Sequence, residues 1–247
     1  MNATQYADHI EIEGHALVAA AASAGLEAPV PTCPGWTVTD LLRHITFVHR
    51  WATRYLVEEL TEMQPHASEE EILHTGPTGD DLLTYVASGV DALVEAVRAA
   101  SPNLECWTFM RTGSPRDQWA RRQAHETTIH RADAELAAMH TITTVTTDFA
   151  TDGIDELLGG FMSRDLTDEP CGTIGIRPTD GGTTWAVELS ESRARGRPNP
   201  DTADVWIDDS SSDLYFALWH RGELQNSGDT RNDGALLELW NKRGIRW

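Results

Sequence analysis

The sequence predicts an α+β protein of two domains: an up-and-down four-helix bundle, then a small α+β unit. Three observations carry that expectation. Four stretches between the N-terminus and His140 repeat apolar residues at spacings of three and four, the period of a helix with one buried face. After His140 the pattern changes to a β-branched run and then to short strand-like segments punctuated by glycine. The length, 247 residues, suffices for two separate cores. The boundary is expected near residues 142–150, giving domains 1–145 and 146–247.

The first helix spans about Tyr6 to Ala24, with Tyr6, Ile10, Leu17, Ala20, Ala21 and Ala24 at helical spacing and Gly25 ending it. Pro29 to Gly35 is too proline-rich for a helix or a central strand and is a connection. Thr37 caps the second helix, and Asp40 suits the positive end of its dipole. Leu41, His44, Val48, Trp51 and Tyr55 form a stripe that should be the buried face, with His49 on a flank beside Ile45, Ala52 and Leu56. Residues 62–79 read as an acidic loop with a short helix. The third helix carries Leu83, Val86, Val90, Leu93, Val94 and Val97 and stops at Ser101-Pro102. Residues 103–118 look irregular, with Gly113 and Pro115 as breakers, and the fourth helix is expected from about Trp119 to His140.

In the second domain, Thr141 to Thr147 is too β-branched to continue the helix. A short helix is expected over Gly153–Ser163. Gly172–Pro178 and Thr183–Leu189 form a hairpin through Asp180-Gly-Gly182. Gly196–Pro200 reads as a loop and Ala203–Ile207 as a third strand. Asp208–Ser212 caps a helix from Asp213 to about His220, and a last helix covers Gly234 to about Arg243.

Composition narrows the partners. The formal net charge is −20, with only 19 basic residues, which argues against nucleic acid. No apolar run approaches the roughly 20 residues of a membrane helix. The N-terminus lacks a basic-then-apolar leader pattern. Cys33, Cys106 and Cys171 are odd in number and widely spaced, which suits a reducing, cytoplasmic setting and offers no CxxC pair.

The chemistry concentrates in Gln123-Ala-His-Glu-Thr-Thr-Ile-His130. Glu126 and His130, four apart on a helix, project from one face as half of a metal site. His125 and His130 are five apart and point away from each other, so the zincin pattern is absent. His44, embedded in the apolar stripe of another helix, supplies the missing inward ligand. His44, Glu126 and His130 form a two-histidine, one-carboxylate set with positions left for water or substrate. Asp133 shares the Glu126/His130 face as a partner able to orient His130. The roles of His49 and His125 stay open. Arg43, Arg50, Arg122 and Arg131 read as surface ion-pair partners.

Cys33-Pro-Gly-Trp-Thr-Val-Thr-Asp-Leu-Leu-Arg-His44 with Val48-His-Arg-Trp51, and Arg122-Gln-Ala-His-Glu-Thr-Thr-Ile-His-Arg-Ala-Asp133, resemble the two signatures of the mycothiol-dependent maleylpyruvate isomerase family. That family belongs to the DinB-like metal-binding bundles. Ser212-Asp-Leu-Tyr-Phe-Ala-Leu-Trp-His-Arg221 and the closing Leu-Trp-Asn-Lys-Arg resemble its small sterol-carrier-like C-terminal domain. The resemblance implies a divalent metal, usually zinc, on His44, Glu126 and His130. It also implies mycothiol as thiol cosubstrate and a catalytic arginine at Arg221, although His220 stands where the family pattern has glycine.

A metal-activated thiolate is the nucleophile such a site would generate. It would serve either a cis–trans isomerase acting on a maleylpyruvate-like enedioate or an S-transferase that leaves the thiol on an electrophile. Two other readings use the same residues: a hydrolase working through metal-bound water, and a non-catalytic ligand-binding module with a structural metal.

Overall fold

The computed structural model describes residues 1–64, 76–109, 113–162, 165–225 and 233–243. The chain forms two compact units, Met1–Thr143 and Thr144–Trp247. The short helix expected within 62–79 falls largely on 65–75, outside the described residues.

The first unit is a bundle of α1 (Ala3–Ala24), α2 (Val38–Glu58), α3 (Asp80–Ala99) and α4 (Pro115–Ala137). Asn2 caps α1 reciprocally with Gln5, and Gly25, at φ 87°, ends it with its N–H on the Ala21 carbonyl. Thr37 and Asp40 form the same capping box on α2. α1 packs on α3 and α4, and α2 packs on the same two helices. The α1–α2 and α3–α4 pairs barely touch, so they lie across the diagonals of the bundle. α1 and α3 approach closely at Gly14, where a Cβ would sit 2.6 Å from a Val90 methyl. Leu17, Leu41, Leu42, Ile45 and Val86 are among the residues of the core beneath.

In this unit the buried face of α2 and both ends of α4 differ from the sequence expectation. The buried face of α2 is the flank Ile45–His49–Ala52–Leu56 with Leu41, Leu42 and Tyr55, whereas His44, Val48 and Trp51 are only half-buried. α4 begins at Pro115 rather than Trp119: Ser114 caps it by accepting the Asp117 N–H. Pro115 sits where a helix needs no N–H, so a residue expected to break structure starts it. The helix stops at Ala137, short of His140, with Met139 at φ 58°.

In the second unit, α5 (Thr147–Asp155) runs into a π-helical turn, Glu156–Phe161, so this helix starts six residues before the expected Gly153. The sheet has the order β3-β2-β1-β4, with β1 (Gly172–Pro178), β2 (Trp185–Leu189), β3 (Ala194–Pro198) and β4 (Val205–Asp209). β1 and β2 form the expected antiparallel hairpin, with Ile174 opposite Val187. β4 lies parallel to β1. β3 replaces a predicted loop. Its Ala-Arg-Gly-Arg-Pro sequence lacks apolar alternation because it is an edge strand, and Arg195 and Arg197 both pair with Glu188 of β2. α6 (Ser211–Leu218) is capped by Ser210, and α7 (Asp233–Arg243) packs on β1 and β2. Among the described residues, no helix is long and apolar enough to cross a membrane.

Among the described glycines of this unit, Gly196 is the most tightly packed. Its N–H donates to the Met162 carbonyl (2.8 Å), and a Cβ there would lie 2.2 Å from the Leu158 carbonyl oxygen. Backbone cannot yield as a side chain can, so we expect Gly196→Ala to destabilise the protein by about 1–3 kcal/mol. Gly182→Ala, with nothing near its Cβ, should stay within about 0.5 kcal/mol. Urea unfolding of both variants checks this, and equal midpoints would refute the clash.

Candidate metal centre

Two helices build the site. α2, oriented by its capping box, carries His44, and α4 carries Glu126 and His130 one turn apart. One donor atom from each of the three residues lies within 4.8 Å of the others. Glu126 Oε1 is 3.2 Å from His44 Nε2 and 3.1 Å from His130 Nε2. The two imidazoles meet edge to face, 4.9 Å between centroids. Side-chain exposure falls from 26% at His44 to 12% at Glu126 and 7% at His130, so the trio opens on the His44 side. Two imidazole nitrogens and a carboxylate oxygen aimed at one point suit a divalent transition metal. These residues fit the group that the sequence implies.

The surroundings hold each donor in place. The Arg122 guanidinium donates to Glu126 Oε2 at 2.5 Å, leaving Oε1 for the imidazoles. Asp133 is fully buried. It accepts the His130 Nδ1–H at 2.8 Å, a close hydrogen bond from the Thr32 hydroxyl, and the Cys33 thiol at 3.6 Å. With Nδ1 carrying the proton, His130 Nε2 presents its lone pair to the centre. Trp36 packs on the His44 ring, 5.1 Å between centroids.

The electrostatics follow from burial and pairing. For Glu126, burial opposes the charged form, but Arg122 and the two histidines outweigh it and hold the carboxyl well below its usual range. For His130, burial favours the neutral ring, yet hydrogen bonds to Asp133 and Glu126 raise its pKa to about 9.

The other candidates fall elsewhere. His49 is buried, and its Nε2 meets the Thr127 hydroxyl at 2.8 Å. That hydroxyl donates to the Gln123 carbonyl, so it accepts the Nε2–H of a neutral His49, whose pKa burial drives down to about 3. His125 is fully buried, edge-on to Tyr6 of α1. Neither belongs to the trio. Arg122 and Arg131, expected at the surface, are buried. Arg131 pairs with Glu13 and Glu135, because α4 lies inside the bundle and its charges need internal partners. Arg50 lies over the Tyr85 ring. Arg221, in the second unit, donates through Nη1 to the Trp219 carbonyl at 2.7 Å. Its neighbour His220 adopts φ 59°, a conformation glycine takes freely, and stacks on Trp240. Arg122 as the clamp on Glu126 was missed from the sequence, although its i,i+4 spacing was the available signal.

A family model described as the mycothiol maleylpyruvate isomerase N-terminal domain matches residues 7–135, more than half of the chain. No curated protein and no solved structure matches it.

Since metal-free His130 holds a proton up to pH about 9, a cation taking Nε2 must displace it. We expect uptake of a divalent cation at pH 7 to release at least about one proton, with affinity rising roughly tenfold per pH unit below 9. Calorimetric titration in two buffers of different ionisation enthalpy measures the release. An unchanged protonation state on binding would rule out Nε2 of His130 as a ligand.

Proposed function

Because the chain belongs to the mycothiol maleylpyruvate isomerase N-terminal domain family, we propose that it is a metalloenzyme acting with mycothiol. In this reading His44, Glu126 and His130 hold a divalent cation, zinc in the first instance, and the thiol attacks a small electrophile. The observation that carries the reading is the convergence of three donors from two helices, with the His44 side left partly open. Bound there, the cation supplies the Lewis acidity that keeps a thiol sulfur as its thiolate near neutral pH.

The chain's own groups do the rest. Glu126 contributes negative charge that Arg122 orients and partly balances, so the carboxylate stays ionised although it is largely enclosed. Asp133 fixes the His130 tautomer and, through Thr32 and Cys33, ties the 29–37 connection to the site. Trp36 shields the His44 ring on that same connection and limits water at the mouth. Arg221 is our proposal for the contribution of the second unit: a guanidinium suited to steadying negative charge on the reacting substrate. The bundle supports thiol activation for isomerisation and for S-transfer alike.

Metal analysis and turnover test this together. We expect the purified protein to carry about one zinc per chain, and His44→Ala and His130→Ala to lose most of it. Arg221→Ala should keep the metal and lower thiol-dependent turnover by about 100-fold or more. Unchanged metal content in both histidine variants would defeat the ligand assignment. Turnover of an ester or amide with no thiol present would point instead to a hydrolase.

A further inference from the structure

The half-buried side of α2 continues past His44. Val48 and Trp51 follow on the same face, and Trp51 stands seven residues, about 10 Å, from His44 along the axis. On α4, Trp119 lies the same distance before Glu126. His44 meets Glu126 while the Trp51 and Trp119 rings meet at 4.9 Å, so the two helices run antiparallel and carry both features on facing sides. Around Trp51 and Trp119 gather Tyr55, Trp107 and Phe109, with centroid separations from 4.9 to 6.5 Å. Phe109 is 40% exposed and stacks parallel to half-buried Trp51. Aromatic rings therefore reach solvent on the side of α2 that leads to the metal centre.

A second observation lies between the two. Gln123 is one turn from Trp119 and one turn from Thr127, which faces α2 through His49. Its carboxamide is fully buried, and among the described residues neither its oxygen nor its nitrogen has a hydrogen-bond partner. A buried amide without partners costs free energy that a polar group inserted beside it would recover. Three of the nearby arginines are engaged: Arg122 with Glu126, Arg131 with Glu13 and Glu135, and Arg50 over Tyr85. A small dianion would find apolar rings here and no unclaimed guanidinium among these.

We propose that the Trp51–Phe109 strip is the acceptor subsite, and that the acceptor is a planar, largely apolar electrophile with one polar substituent for Gln123, not a small dicarboxylate. This rests on the thiol-enzyme reading and names its substrate class. The rings stack on the acceptor while its reacting atom reaches the mouth at His44.

The test uses the zinc-loaded full chain with mycothiol and two acceptors, chlorodinitrobenzene and maleate. With the first, a sulfur–carbon bond forms, the carbon–chlorine bond breaks, chloride leaves with the electron pair and the thiol proton passes to solvent. We expect kcat/KM to favour the aromatic acceptor by at least about tenfold. Trp51→Ala and Phe109→Ala should each raise its KM by about tenfold, with metal content and the KM for mycothiol unchanged, and Trp51→Phe should restore most of the loss. Preference for maleate, or an unchanged KM in both alanine variants, overturns the proposal. So does a change in sedimentation without a change in KM, which would make the strip an interface between copies. Quenching of tryptophan fluorescence by unreactive dinitrobenzene, with no thiol present, separates the two readings. Binding weakened in the variants but no thiol-dependent turnover upholds the strip and refutes the thiol enzyme; no binding refutes the strip.

Discussion

The arrangement of the bundle depends on one largely enclosed carboxylate, Glu126, with 12% of its side chain exposed. Glu126 accepts from two imidazoles through one oxygen and from a guanidinium through the other. Burying an unpaired charge costs several kcal/mol, so a site of this kind persists only if every neighbour is in place. That requirement sets how α2 and α4 face each other, since His44 is the partner that comes from outside α4. It also reaches the 29–37 connection, because Asp133, which fixes His130, is held by Thr32 and Cys33. A proline-rich linker is thereby made part of the site.

The same requirement explains why α4 is an unusual core helix. Arg122, Gln123, His125, Thr127, Thr128, His130, Arg131, Asp133 and Glu135 are all buried in it. An amphipathic helix solves its packing with one apolar face; α4 is enclosed on most sides and solves it with internal pairs. Arg131 with Glu13 and Glu135 ties α4 to α1 and to the residues around Thr143, as Arg122 with Glu126 ties it to the site. Substituting one member of such a pair leaves the other buried and charged, so these positions should tolerate change less well than ordinary core residues.

Much of this was legible in the sequence, and the failures have physical causes. The four helices and the α+β unit follow from apolar period and turn residues, and His44, Glu126 and His130 stood out as inward-facing donors. The expected stripe on α2 is right at Leu41 and Tyr55 but not at His44, Val48 and Trp51: the flank of Ile45, Ala52 and Leu56 is equally apolar, and it is the side that packs inward with His49. Hydrophobicity marked a half-open aromatic side as though it were the interior. Arg122 and Arg131 read as surface residues because a base rate for arginine ignores the acid four residues on from each, Glu126 and Glu135. Edge strand β3 was missed since its pairing rests on backbone and on Glu188, neither of which leaves an apolar alternation. The placement of α4 from Pro115 required reading Ser114-Pro115 as a start, when Gly113 beside it suggested a break.

The three α2/α4 histidines that are neither surface nor His125 show what separates a ligand from a core residue. His49 and His44 share α2 and a similar distance to α4, yet His49 is sealed against a threonine hydroxyl and kept neutral by burial, with its pKa near 3. His130 is almost as buried, but two carboxylates surround it and hold it protonated to pH about 9. A cation needs the lone pairs and negative charge that the second environment concentrates, together with an open side that only His44 has. Burial alone therefore does not mark the site. What marks it is burial beside two carboxylates that are themselves held by partners, opened at one edge.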